Sequence, residues 1–271
     1  NNGQRLAHDD INNSNWNLTN ADSNKLIKQM EFTGISLNEY IQGRIYRGVA
    51  SGYNNAFYID ENIKEKLIRQ NSANLGVIKP LLVGDNIRKW RMASKNKYLL
   101  YMYHKIDVSN LSYILEYLEK YRKNLENRAI KQEWYELQQP QFRYAAEFEK
   151  PKIIFPDIVK EPRFTFDKEG HYLANTAYII PVNDLYLLGV LNSRYIWEYA
   201  KSRFVCLGDP NQGGRLRFTY QSVINLPIPI ASTTEKETIS QLVQKCLDAK
   251  GVNCETWEKE IDERVAALYG L

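Results

Sequence analysis

Apolar positions along the chain change spacing several times, and each change marks an element. The first thirty-odd residues are rich in Asn and show little periodicity beyond residues 23–32. Residues 35–41 and 43–49 alternate in short runs broken by glycine and predict strands and turns. Ser51-Gly52-Tyr53-Asn54-Asn55 predicts a loop from its turn residues, and residues 56–59 a strand. Residues 61–69 have the spacing of a short amphipathic helix. Residues 75–83 are apolar but broken by Pro80, and residues 97–103 predict a strand. The clearest helical spacing is that of Leu111, Ile114, Leu115, Leu118 and Leu125. It predicts one helix over residues 111–128, with Ser109 or Asn110 at the N-cap.

Residues 152–159 and 163–167 predict paired strands. The turn Asp167-Lys168-Glu169-Gly170 leads into a further strand over residues 171–181. Residues 185–201 have helical period, residues 208–214 form a polar, glycine-rich loop, and residues 215–220 a strand. After Leu226-Pro227-Ile228-Pro229 come two amphipathic helices. Residues 235–249 place Ile239, Leu242, Val243 and Cys246 on one face; residues 256–269 do the same with Trp257, Ile261, Val265 and Leu268. The fold class expected is mixed α/β (α+β), rich in strands, with packed helices and a helical C-terminus. It divides into a connector over residues 1–34, a body over 35–232 and a helical brace over 233–271.

Composition narrows the class. With 44% hydrophobic and 25% charged residues, the chain has globular proportions. No apolar run approaches the ~20 residues of a membrane span. The start, Asn1-Asn2-Gly3-Gln4, has neither an initiator Met nor a signal-peptide pattern, which suggests a piece of a longer protein. Cys206, Cys246 and Cys254 are odd in number and lack C-x-x-C spacing. They argue against a disulfide scaffold or structural zinc and fit a reducing cytoplasm. The 19 Tyr against 9 Phe suit a polar binding surface, because Tyr joins a stacking face to a hydrogen-bonding tip. Net charge is +4, but residues 235–271 hold five basic and eight acidic residues, which leaves +7 on residues 1–234. A basic body with an acidic tail expects a polyanion at the body.

Catalytic chemistry is hard to find. There is no Pro-Pro pair for the base-holding loop of an amino-methyltransferase, and Gly43-x-x-x-x-Gly48 lacks the Lys-Ser/Thr of a phosphate-binding loop. Pro156-Asp157 begins a nuclease-like pattern, but its acidic-x-Lys partner, Asp248-Ala249-Lys250, lies far off in the acidic tail. His8, His104 and His171 have no metal-ligand spacing. No catalytic or metal residue is nominated.

Polar loops offer more. Arg44, Arg47, Ser51, Asn54 and Asn55 lie in one glycine-rich segment. Lys79, Arg88, Lys89, Trp90 and Arg91 form a second basic group, and Arg203, Asn211, Gln212, Arg215 and Arg217 a third. Arg, Asn and Gln make paired hydrogen bonds to base edges, while Lys and further Arg neutralise phosphates. Any one of them can equally be a solvated surface charge.

The segment Gly48-Val49-Ala50-Ser51-Gly52-Tyr53-Asn54-Asn55-Ala56-Phe57-Tyr58-Ile59-Asp60 resembles the G-I-x-T/S-G-x-N-x-A-F-x-I-D segment of TaqI-like specificity domains. These are target-recognition regions of adenine-specific DNA methyltransferases and fused type II restriction-modification enzymes. The likeness continues in order through residues 78–87, 150–158, 188–193, 218–221 and 226–229, and ends in residues 260–271. It implies an α/β target-recognition domain that binds double-stranded DNA beside an upstream catalytic methyltransferase domain. It implies no cofactor within this chain, with S-adenosylmethionine, and Mg²⁺ for cleavage, used by the parent. Ala50-Ser51 stands where Lys/Arg-Thr is common, so Arg47 is expected to supply the missing charge. The expected DNA-binding residues are Arg44, Arg47, Ser51, Asn54, Lys79, Arg88, Lys89, Trp90, Arg203, Asn211, Gln212, Arg215 and Arg217. Two readings stand beside this one within DNA chemistry: half of a type I-like specificity subunit, and a metal-dependent nuclease built on Asp157 with Asp167. A third is a protein-interaction module working through its acidic helices.

Overall fold

A computed structural model describes residues 21–93, 96–209 and 213–271. A four-stranded antiparallel sheet runs through the middle, in the order Thr165–Asp167, Lys152–Pro156, Ala177–Ile180, Tyr46–Arg47. The Lys152–Pro156 strand is buried at every position. Successive side chains point to opposite faces, so such a strand must be covered on both. Ile153, Phe155, Tyr178 and Ile180 join one hydrophobic cluster, and Ile154, Ala177 and Ile179 join the other. The unbroken apolar run in the sequence is the signature of this double burial.

The first cluster fills the space between the sheet and the helices Leu185–Leu191, Arg194–Arg203, Thr233–Asp248 and Glu255–Tyr269. Gly189 lets the Thr233–Asp248 helix come close: a Cβ there would lie 2.8 Å from Val243 Cγ2 and 2.9 Å from Ile239 Cγ2. The helix Ala21–Thr33 lies wholly within the stretch expected to be a connector, and it buries Ile27 and Met30 in the same cluster. Gly34–Ser36 pairs antiparallel with Pro227–Pro229. Tyr186 and Tyr269 donate their hydroxyls to the carbonyls of Pro229 and Pro227, each at 2.6 Å, so buried polar groups are satisfied where the helices meet this pair.

The second cluster lies under another four-stranded sheet, ordered Tyr172–Leu173, Ile78–Leu82, Lys97–Leu100, Tyr58–Asp60. Pro80 is tolerated within Ile78–Leu82 because the parallel neighbour pairs only with Leu81 and Leu82, which leaves Pro80 with a free side. Gly48 marks the closest approach of two segments in this region: a Cβ there would lie 2.1 Å from the Ala174 carbonyl oxygen.

Several expected elements differ in form. Residues 37–41, expected within a strand, are a short helix, Leu37–Ile41, and the strand expected over 152–159 is divided between two sheets at Asp157. The stretch over residues 111–128 is two helices, Ser112–Glu119 and Arg122–Glu126, because Tyr121 donates to the carbonyl three residues back, on Leu118, at 2.8 Å. Leu111, not Ser109 or Asn110, stands at the first N-cap. The helix over residues 185–201 breaks at Asn192-Ser193. Buried Asn192 exchanges two hydrogen bonds with the backbone of Phe164, and Ser193 caps the next helix. Residues 171–181 are two strands, one in each sheet, so the chain crosses between sheets at residues 174–176. Residues 54–57 form a helical turn, Asn54–Phe57, rather than the end of a loop and the start of a strand.

Candidate nucleic-acid interface

The sheet crossing at residues 174–176 meets four other pieces of chain: the edge strand Tyr46–Arg47, the Asn54–Phe57 turn, the strand Ile158–Val159 and the strand Arg215–Arg217. Two adjoining grooves result, of about 460 and 510 Å³, and Asp157 lines both. Arg47, Arg217, Tyr144 and Gln221 line the first; Asn54, Lys160, Asn175 and Arg215 line the second.

Local chemistry sets each side chain. Arg215 and Arg217 are exposed on either side of buried Leu216, which pairs with Val159. Neither guanidinium forms an ion pair among the described residues. Arg47 donates its Nε to the Asn175 carbonyl at 2.8 Å, with its guanidinium carbon 5.9 Å from the centre of the Tyr178 ring. Tyr46 and Tyr144 stack at 4.4 Å, and the Tyr144 hydroxyl donates to the Arg47 carbonyl at 3.0 Å. Ser51 is only 2% exposed; its hydroxyl donates to Asn54 Oδ1 at 2.6 Å. Ser51 therefore orients Asn54 rather than meeting a ligand itself. Burial pushes the Asp157 carboxyl up, and the charges of Arg47 and Arg217 oppose that shift.

The first and third basic groups of the sequence thus converge in part, and the second does not. Lys79 pairs with Glu149 at 2.9 Å, Lys89 with Glu258 at 3.0 Å, and Arg203 with Glu31 at 3.1 Å. Arg88 donates to the carbonyls of Asp85 and Ile87. Trp90 is a correction: it is 3% exposed, packs in the core and donates Nε1 to Glu258, so its ring is no stacking surface. Its apolar area is covered within the first hydrophobic cluster, not left open to a base. Arg44 is exposed and donates Nε to Ile41 O at 3.2 Å, but lines neither groove. Asn211 and Gln212 lie outside the described residues.

Sequence reasoning missed Lys160, Asn175, Thr176, Thr219 and Tyr220 as groove residues. One signal was available: Thr219 stands before a short turn, and its hydroxyl caps Ser222 N. Asn175 and Thr176 separate two apolar runs, which marks a chain crossing but not what it faces. The nuclease pattern loses its second carboxylate, because Asp167 is fully buried and accepts from Lys152 and His171. Among the described residues no three His, Cys, Asp or Glu gather to hold a metal ion. Nor, among them, is any helix long and apolar enough to cross a membrane.

Known proteins share sequence and fold with this chain. Type II methyltransferase M.BanIII of Aneurinibacillus aneurinilyticus is 29% identical over 232 residues, a match covering 76% of this chain and 39% of that protein. Type II methyltransferase M.MjaIV of Methanocaldococcus jannaschii is 27% identical, over 79% of this chain and 75% of its own length. The chain therefore spans well under half of the first relative. Among solved structures, the type IIL restriction-modification enzyme MmeI in complex with DNA aligns with a TM-score of 0.61 at 14% identity, over 83% of this chain and 32% of that one. The type IIG restriction endonuclease BpuSI aligns at 0.53 and 16% identity, over 92% and 32%. Both likenesses are of fold. The family model for the TaqI-like C-terminal specificity domain matches residues 79–228, more than half of the sequence, and the chain belongs to that family.

Proposed function

We propose that this chain recognises a specific duplex DNA sequence through the twin grooves around Asp157, on behalf of an adenine-N6 DNA methyltransferase of a restriction-modification or phage-defence system. The observation that carries this reading is the convergence of Arg47, Asn54, Arg215 and Arg217, from three separate segments, on one face where the arginines form no ion pair among the described residues. Guanidinium and carboxamide groups are the side chains that pair with base edges, and unpaired cations neutralise phosphates. The acidic helices pack into the first cluster and, in this reading, act as a brace toward the catalytic domain.

S-adenosylmethionine belongs to the parent enzyme in this reading. Its reacting sulfur is cationic, and the Asp157 grooves, walled by guanidinium groups, do not fit it. Presentation of an adenine out of the stack falls to the catalytic domain. The relatives' type II descriptions favour a fused arrangement over half of a type I-like subunit.

Titration of a random duplex library at two salt concentrations tests the proposal. Binding should weaken with log salt at a slope of about −0.9 per phosphate neutralised. Salt-insensitive or absent binding defeats it. Plasmid cleavage with Mg²⁺ that disappears in Asp157→Ala would instead favour the nuclease reading.

A further inference from the structure

Asp157 is the anomaly on this face. A surface that attracts a polyanion through Arg47, Arg215 and Arg217 is weakened by a carboxylate among them. Asp157 is half-buried, lines both grooves, and makes no ion pair among the described residues. Its backbone is fixed on both sides: the N–H donates to the Thr176 carbonyl at 3.0 Å, and the carbonyl accepts from Phe218 N at 2.8 Å. The carboxylate is therefore carried on a fixed stretch of backbone where the two grooves join.

An ionised carboxylate only accepts hydrogen bonds. Phosphates, the N7 and O6 atoms of guanine and the O4 of thymine are also acceptors, and each is repelled. The donors that the major groove displays are the exocyclic amines, N4 of cytosine and N6 of adenine. We propose that Asp157 is a specificity-determining residue that accepts a hydrogen bond from a base amine at one position of the target site. This rests on the reading of the chain as a duplex-recognition module. The carboxylate then works in two directions: it lowers affinity for DNA at large and returns that loss only where an amine is in place. Discrimination built from a repulsive element together with an attractive one is an efficient route to specificity.

The test is selection from a random duplex library by the 271-residue chain and by its Asp157→Ala and Asp157→Asn variants. The unmodified chain should enrich one motif. Asp157→Ala should relax a single position of it, with discrimination there falling roughly 5- to 150-fold, and should bind random duplex more tightly than the unmodified chain. Asp157→Asn keeps the shape, so it guards against simple misfolding; its amide both donates and accepts, which should move the same position toward adenine. Enrichment of an unchanged motif by both variants overturns the role of Asp157 alone. Failure of the unmodified chain to enrich any motif overturns the recognition reading itself.

Discussion

The salt dependence of DNA binding can be worked from the ion pairs. On the proposed face, Arg47, Lys160, Arg215 and Arg217 form no ion pair among the described residues. If each neutralises a phosphate at about −0.9 per contact, the face sets a slope near −3.6, and affinity falls by about 150-fold between 50 and 200 mM salt. The double variant Arg215→Ala/Arg217→Ala removes two of these cations. Its slope should be near −1.8, and its loss over the same salt range only about 12-fold. Fluorescence anisotropy of a labelled duplex across a salt series measures both.

The internal control is a cation already engaged. Lys79 sits 2.9 Å from Glu149, so Lys79→Met/Glu149→Gln leaves the net charge unchanged and removes no free positive group. That variant should keep the slope of the unmodified chain. The reasoning fails if the two double variants change the slope equally, because ion pairing would then not be what separates binding cations from structural ones. It fails equally if Arg215→Ala/Arg217→Ala binds with an unaltered slope.

Stability makes further demands. Lys152 and Asp167 are both fully buried and joined at 2.6 Å, so Lys152→Met strands a carboxylate and should destabilise by about 3–5 kcal/mol in urea unfolding; Lys152→Met/Asp167→Asn should recover part of that. Burial pushes the Asp167 carboxyl up, but hydrogen bonds and charge from His171 and Lys152 outweigh it and hold the group below the ordinary range. The contribution of Asp167 is therefore present above the ordinary carboxylate pKa of about 3.9 and is lost as pH falls below it, which a pH series of melts on the unmodified and Asp167→Asn chains would detect. Trp90→Ala should destabilise by about 3–5 kcal/mol while the refolded protein keeps its salt slope; a lost slope with normal stability would return Trp90 to the DNA face. Gly48→Ala places a methyl 2.1 Å from the Ala174 oxygen and should lower the melting temperature, by about 1–3 kcal/mol of stability or more.

Much of the fold was legible because it is written locally. The run Ile153-Ile154-Phe155 marked a strand, and Ile239, Leu242, Val243 and Cys246 a helix with one apolar side; the structure has both elements and buries these residues. Breaks were less legible than elements. Asn192 stops one helix and Ser193 starts another, yet Asn192 acts through Phe164, which only the folded chain brings beside it. The split of residues 171–181 between sheets was hidden for a similar reason. Tyr172–Leu173 pairs with Ile78–Leu82, far earlier in the sequence, and no local pattern announces which sheet an apolar pair will join.

The candidate site divides along the same line. Arg215-Leu216-Arg217 is a local alternation, and period two is enough to put both arginines on the side away from the core. Lys89-Trp90 has the same outward appearance in sequence, a cation beside an aromatic in a polar stretch. Its fate is set by Glu258, which takes both the ammonium and the indole N–H. Charge density along a chain therefore finds the segments that can meet a polyanion but cannot say which of their cations are spent inside the protein. The partner that spends them is distant in sequence, and a single sequence carries no trace of that pairing. Asp157 shows the converse case. Beside Pro156 it resembles the first carboxylate of a nuclease. What changes its meaning is company that only the fold supplies, Arg47 from the edge strand of one sheet and Arg217 from the central strand of another.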